Sequence, residues 1–108
     1  MVTGEPTDSE TVEGYVIDNG CVRKNARDDL LAAARSHTRD CALMGHCVES
    51  GYSLVNEGEE MTMLDAAATP KVVHTVEESD REQGIRLRVQ REREDDEMRT
   101  VSVEEVER

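Results

Sequence analysis

Residues 85–106 read IRLRVQREREDDEMRTVSVEEV and carry the clearest strand pattern in this chain of 108 residues. Over the first six positions Ile, Leu and Val alternate with Arg and Gln, which is the period of a strand with one buried face. The alternation returns after the charged run 91–97, where Val101 and Val103 occupy the apolar face. The stretch therefore predicts two antiparallel strands joined by a turn at 95–97.

A third strand is predicted immediately upstream. Pro70 ends the preceding segment, and residues 71–78 read KVVHTVEE, which is rich in the branched side chains that favour strands. Residues 79–84 then supply a polar turn. The three strands together predict a C-terminal antiparallel meander.

The N-terminal part predicts a β-hairpin over residues 15–24. Asn19-Gly20 is the preferred pair for a two-residue turn, and β-prone runs flank it on both sides. Residues 1–12 show no apolar period, so we expect a flexible acidic leader there. The remaining residues, 13–108, are then expected to form one α+β domain, as the length suggests.

Between these strands the sequence predicts one long helix, from about residue 26 to about residue 49. Asn25 is a suitable N-cap, and Gly51 is a natural stop. Gly45 leaves open a break within the helix. Six residues recur at steps of three and four and share one helical face: Leu30, Ala34, His37, Cys41, Met44 and Val48.

Residues 52–69 fit two structures equally well. They can form a hairpin with strands at 52–55 and 61–64, or a short helix over 59–68. In either case the order of elements predicts an α+β fold in which the long helix packs on one face of an antiparallel sheet.

The chain is strongly acidic. Asp and Glu number 25 against 13 Lys and Arg, which gives a net charge of −12, and only two of the basic residues are Lys. Such a composition indicates adaptation to concentrated salt. The alternative explanation is a genome rich in G and C, which gives a similar composition. The same charge makes nucleic acid an unlikely partner, because binding to phosphates needs a basic patch.

We expect a soluble cytoplasmic protein with no membrane partner, because no apolar run is long enough to span a bilayer and the first residues do not resemble a signal peptide. Three cysteines are an odd number, which favours free or metal-bound thiols over a set of disulfides. Leu, Ile, Val and Phe together number only 21, so we expect a homodimer, with another protein as a further candidate partner.

The candidate metal ligands are His37, Cys41, His46 and Cys47, with Cys21 as a further contributor. Imidazole and thiolate are the side chains that hold zinc and other soft divalent ions. On an unbroken helix His37 and Cys41 share one face, whereas His46 and Cys47 point elsewhere. A single site within one chain therefore requires the helix to break near Gly45; alternatively, the His37 and Cys41 pairs of two subunits meet at a two-fold axis.

Two other interpretations compete with metal binding. The cysteines can be ordinary core residues, or Cys47 can be a redox thiol, although Asp40 nearby would raise its pKa and lower its reactivity. No sequence motif of a known enzyme is present, so no catalytic residue is predicted. The expected function is a non-enzymatic binding or regulatory module with a metal or thiol-redox input; the alternative is a small thiol-dependent or metal-dependent enzyme.

The acidic surface leads to a testable expectation about salt. Carboxylates on a folded chain repel one another, and salt screens that repulsion. We expect the melting temperature to rise markedly between dilute buffer and molar KCl, as followed by circular dichroism. An unchanged melting temperature would contradict adaptation to salt.

Overall fold

The computed structural model describes residues 9–24, 29–94 and 96–106. Five strands lie within these ranges: β1 (Ser9–Asp18), β2 (Tyr52–Val55), β3 (Met61–Met63), β4 (Arg86–Glu94) and β5 (Glu97–Glu105). Five helices accompany them: α1 (Asn19–Lys24), α2 (Leu30–Ser36), α3 (Arg39–Ala42), α4 (Gly45–Ser50) and α5 (Ala68–Glu77). The α+β class predicted from the sequence is therefore confirmed.

The strands form a single antiparallel sheet in the order β3-β2-β1-β4-β5, with β1 at its centre. The first part of β1 pairs with β4, from Ser9 to Tyr15, and its last part pairs with β2, from Tyr15 to Asp18. Both neighbours of β1 come later in the chain. The sheet therefore depends on pairings between residues that are distant in sequence.

Apolar side chains cover both faces of the sheet at its centre. Val16 and Ile17 are consecutive in β1 and thus point to opposite faces, and both are buried. Val16 belongs to a cluster with residues of α5, including Val72 and Val76, whereas Ile17 packs in a second cluster with Leu30 of α2. The sequence predicted one long helix on one face of the sheet, whereas the helices of the structure pack on both faces.

The predicted long helix over about 26–49 is also wrong, because the chain forms three short helices, α2, α3 and α4. The first break lies at His37 and Thr38, where the backbone leaves the helix to pair with residues 82–84. Thr38 then caps α3 by accepting a hydrogen bond from the Cys41 N–H at 3.0 Å. The second break is at residues 43–44, just before Gly45.

No helix in the described part of the chain is long and apolar enough to cross a membrane.

The predicted N-terminal hairpin is wrong as well, because Asn19-Gly20 begins helix α1 and does not form a turn. Local polar contacts explain the difference. The Asn19 amide donates to the Ser50 carbonyl at 3.0 Å, and the Gly20 N–H donates to the Ser50 hydroxyl at 3.2 Å. Of the expected leader, residues 9–12 belong to β1, and residues 1–8 lie outside the described residues.

The middle of the chain adopts the hairpin and not the helix. Strands β2 and β3 pair in register, with Leu54 opposite Thr62, and Asn56 organises the turn by accepting hydrogen bonds from the Gly58 and Glu60 N–H groups. The helix in this region begins later than the alternative required, at Ala68.

Residues 71–78 were predicted to be a strand, but 71–77 belong to helix α5, so the three-stranded meander is wrong. Ala68, Val72 and Val76 are buried at steps of four residues, so the helix presents a continuous apolar stripe to the sheet. Pro70 fits because it occupies the first turn, where no backbone N–H is needed. Burial of that stripe outweighs the strand preference of the branched side chains.

The two C-terminal strands predicted from the alternating pattern are confirmed as β4 and β5. Asp96, with a φ of 72°, lies in the turn between them. The register shifts opposite Gln90 and Arg91, so Val101 is an extra, unpaired residue of β5 and forms a β-bulge. Arg88 forms ion pairs with Glu13 and Glu104, each with a nitrogen–oxygen distance of 2.7 Å, and Arg91 forms an ion pair with Glu10. These arginines therefore serve cross-strand pairing.

The close approach of β1 and β2 predicts the effect of a single methyl group. A Cβ at Gly14 would lie 2.8 Å from the Val55 carbonyl oxygen, whereas a Cβ at Gly45 would have no atom within 4 Å. We expect Gly14→Ala to lower the free energy of unfolding by about 1–3 kcal/mol through overpacking. Gly45→Ala is the matched control and should be neutral or slightly stabilising. Urea denaturation measures both, and equal effects would contradict the close approach.

Candidate metal centre

The site is built around a carboxylate at the end of the central strand. Asp18 is the last residue of β1 and is 1% exposed, an unusual environment for an acid. Its Oδ1 atom accepts a hydrogen bond from Nε2 of His37 at 2.7 Å, and the His37 side chain is only 5% exposed. The first break in the helical segment places this histidine, because His37 lies where α2 ends.

The second break brings the two cysteines together. Cys41 lies in α3 and is partly buried, whereas Cys47 lies in α4 and is 2% exposed. The break at residues 43–44 separates α3 from α4, and the Cys47 thiol lies beside both the Cys41 thiol and the Asp18 carboxylate. An unbroken helix would hold the two thiols on different faces.

Three potential ligand atoms converge as a result. One carboxylate oxygen of Asp18 and the Sγ atoms of Cys41 and Cys47 all lie within 4.8 Å of one another. In a tetrahedral zinc site with Zn–S bonds of about 2.3 Å, two sulfur ligands lie about 3.8 Å apart. Small side-chain adjustments therefore suffice for these three groups to contact a common ion. Two thiolates and one carboxylate are a suitable set for zinc.

The electrostatics of the site favour a protonated Cys47 thiol while no cation is bound. Burial raises the pKa of Cys47 from 9.0 to about 12, with further contributions from the Asp18 charge, a hydrogen bond to Asp18, and Cys41. Burial likewise raises the pKa of Tyr52 from 10.0 to about 12, with further contributions from Cys47, Asp18 and Cys41. Cys47 is thus a poor nucleophile on its own, because a reactive thiol needs a lowered pKa.

Polar groups hold the surroundings of Asp18 in place. The Ser53 hydroxyl donates to Asn19 Oδ1 at 2.6 Å, and a Cβ on Gly20 would lie 3.0 Å from Asp18 Oδ2. The Tyr52 hydroxyl donates to the carbonyl of Ala42, which fixes the end of α3. Nδ1 of His37 is buried and has no hydrogen-bond partner among the described residues.

Three of the four predicted ligands thus meet in one place, although in different roles. Cys41 and Cys47 contribute thiols, whereas His37 contacts the site through Asp18. The side chain of His46 lies outside the part of the structure that is described, as does that of Cys21. The acid expected to raise the pKa of Cys47 was Asp40, but Asp40 is exposed and Asp18 has that effect.

Asp18 itself was missed by the sequence analysis. It precedes Asn19-Gly20 and therefore resembled the first residue of a turn. The available signal was its position directly after the apolar run Tyr15-Val16-Ile17, which places an acid at the end of a buried strand.

Comparison of the chain with protein-family models, with curated protein sequences and with solved structures finds no match. The function is therefore inferred from the chemistry of the site alone. Five surface cavities, with volumes from about 220 to about 410 Å³, are lined by residues other than Asp18, His37, Cys41 and Cys47.

The raised pKa values predict a loss of stability at high pH. The fold favours the neutral forms of Cys47 and Tyr52, so their stabilising effect is complete below pH 9.0 and is lost as the pH rises towards about 12. We expect the free energy of unfolding of the metal-free protein to fall across this interval. Urea denaturation at several pH values measures the slope.

Two variants assign that slope to the site. Cys47→Ala and Tyr52→Phe should each reduce the alkaline loss, because each removes one group with a raised pKa. Tyr15→Phe is the matched control, since the Tyr15 hydroxyl donates to exposed Glu57 at 3.2 Å. A slope that is the same in all three variants would show that other groups cause the alkaline loss.

Proposed function

We propose that this protein is a small metal-responsive regulatory module that binds a soft divalent cation, with zinc as the best candidate, through Asp18, Cys41 and Cys47. The observation that carries the proposal is the convergence of these three ligand atoms within 4.8 Å. His37 is a positioning residue, because its hydrogen bond orients the carboxylate as partners outside the ligand set commonly do.

The donor chemistry supports zinc over the common hard cations. Mg²⁺ and Ca²⁺ prefer sites made of oxygen ligands, whereas two thiolates favour soft or borderline ions. A divalent ion also neutralises two of the three negative charges that the ionised ligands carry. Three protein ligands leave one tetrahedral position for water or for a side chain outside the described residues.

Several features support a regulatory role over the enzyme alternative. Asp18 and Cys47 are almost completely buried, which leaves little room for a substrate beside the ion. In a nucleophilic enzyme a histidine activates the thiol, whereas here Asp18 bonds both the His37 ring and the Cys47 thiol. The raised pKa of Cys47 is opposite to what a nucleophile requires.

The proposed consequence of metal binding is to fasten the helical segment to the sheet. Asp18 belongs to the central strand, while Cys41 and Cys47 belong to α3 and α4. One ion bound by all three joins these elements, and metal binding energy then contributes to folding energy. The degree of structural order in residues 39–50 would then depend on the concentration of available metal.

Zinc binding tests the proposal directly. Native mass spectrometry in volatile salt, together with competition against a chromophoric chelator, should show one zinc per chain. Binding should release protons into a weakly buffered solution, because the metal ionises a thiol whose pKa is about 12. Thermal unfolding should shift to higher temperature as zinc is added.

Single substitutions identify the ligands. Cys41→Ser, Cys47→Ser and Asp18→Asn should each abolish or strongly weaken zinc binding, and His37→Gln should weaken it by about 10–100-fold. His74→Gln is the matched control and should retain zinc, because His74 is exposed on α5. Cys21→Ser and His46→Gln are measured in parallel, since loss of zinc in either variant would make that residue the fourth ligand. Binding that survives both Cys41→Ser and Cys47→Ser would refute the site.

The expected homodimer remains a prediction. The same native spectra report the number of subunits with and without zinc. A dimer that appears only with zinc, and that disappears in Cys41→Ser, would support a site shared between two subunits.

A further inference from the structure

We propose that Cys41 and Cys47 are also a redox pair, and that oxidation to an intramolecular disulfide by a hydroperoxide releases the metal from the site. The inference rests on the proposed function, since it names the signal that regulates the metal centre. The observation that supports the redox pair is the proximity of two free thiols, whose Sγ atoms lie within 4.8 Å of each other.

The chain allows the two sulfur atoms to close this distance. A disulfide requires an S–S bond of about 2.05 Å, so the thiols must approach further. Residues 43–44 lie between α3 and α4 outside any helix; Leu43 packs against the core, but Met44 is 48% exposed, so the connection can adjust at Met44. Gly45, where a Cβ would have open space around it, adds room at the start of α4.

The different burial of the two thiols sets the order of the reaction. Cys41 is partly exposed and meets the oxidant first, whereas Cys47 is buried. The Cys41 thiolate attacks the O–O bond of the hydroperoxide and becomes a sulfenic acid, with an alcohol or water as the product that leaves. Cys47 is a poor nucleophile towards a molecule in solution, but its sulfur lies beside Cys41 in the same chain, and this proximity promotes the second step. The Cys47 sulfur attacks the Cys41 sulfur and expels hydroxide, which takes up the Cys47 proton and leaves as water.

The reaction balances as two thiols and one hydroperoxide giving one disulfide, one water and one alcohol, or two waters with hydrogen peroxide. The two electrons come from the thiols and reduce the O–O bond. A disulfide has no thiolate to offer, so Asp18 alone of the three ligand groups would remain. Metal binding and oxidation are therefore mutually exclusive, and a dithiol reductant restores the site by thiol–disulfide exchange.

The sequence makes the product simple to detect. Trypsin cleaves after Arg39 and Lys71 and at no residue between them, so one peptide, 40–71, contains Cys41 and Cys47 without Cys21. After treatment of the metal-free full chain with hydrogen peroxide in the presence of a chelator, this peptide should lose the mass of two hydrogen atoms and resist alkylation. Cys21→Ser should give the same product.

Two further measurements make the test specific. In Cys47→Ser the sulfenic acid on Cys41 should accumulate and be trapped by dimedone, because the second thiol is missing. In the zinc-loaded protein the disulfide should form at least about tenfold more slowly, because both sulfurs are occupied by the metal. Peroxide should then release one zinc per disulfide formed, as read by a chromophoric chelator.

The outcomes separate this inference from the proposed function. Zinc binding without an internal disulfide in peptide 40–71 overturns the redox pair and leaves the metal site intact. A disulfide in a chain that never binds zinc overturns the metal site and the metal release, and leaves only an oxidisable pair. A disulfide that joins two chains in place of Cys41 and Cys47 of one chain also overturns the inference.

Discussion

The buried carboxylate of Asp18 is the constraint on which the rest of this structure depends. A charged group in the interior is costly unless hydrogen bonds and neighbouring charges compensate for the loss of water. Here the compensation comes from His37 at 2.7 Å and from the thiol of Cys47, which lie on different segments of the chain. Both partners reach the carboxylate only because that segment is broken into α2, α3 and α4. The site and the breaks in the helical segment therefore depend on each other.

Sequence reasoning succeeded where one local pattern determines the result. The alternation after Ile85 correctly gave β4, and Gly51 correctly marked the end of a helix, with a φ of 81°. It failed where contacts between distant residues prevail over local preference. The periodic stripe through His37 and Cys41 does resemble one long helix, but the pairing of His37–Arg39 with residues 82–84 interrupts it at the first of its two breaks. The local sequence of residues 82–84 does not predict that pairing.

The candidate site was half predictable for the same reason. Thiols and imidazoles are rare in this chain, so their concentration in one segment could be seen directly, and a break near Gly45 was recognised as the condition for bringing them together. The carboxylate could not be found in this way, because Asp18 is far from Cys41 in sequence and joins it only through the fold. This site is assembled from a strand and two helices. The sequence indicates only the ligands that are close together along the chain, which here are Cys41 and Cys47.

The central position of β1 also has a consequence for the newly made protein. This strand is synthesised before its partners, because β2 follows only at Tyr52 and β4 only at Arg86. The apolar run Tyr15-Val16-Ile17 therefore stays unpaired while most of the chain is synthesised. Glu13 and Asp18 flank that run, and like-charged residues in such positions hinder the pairing of identical strands from different chains. We therefore expect Glu13 and Asp18 to lower the tendency of the newly made chain to aggregate.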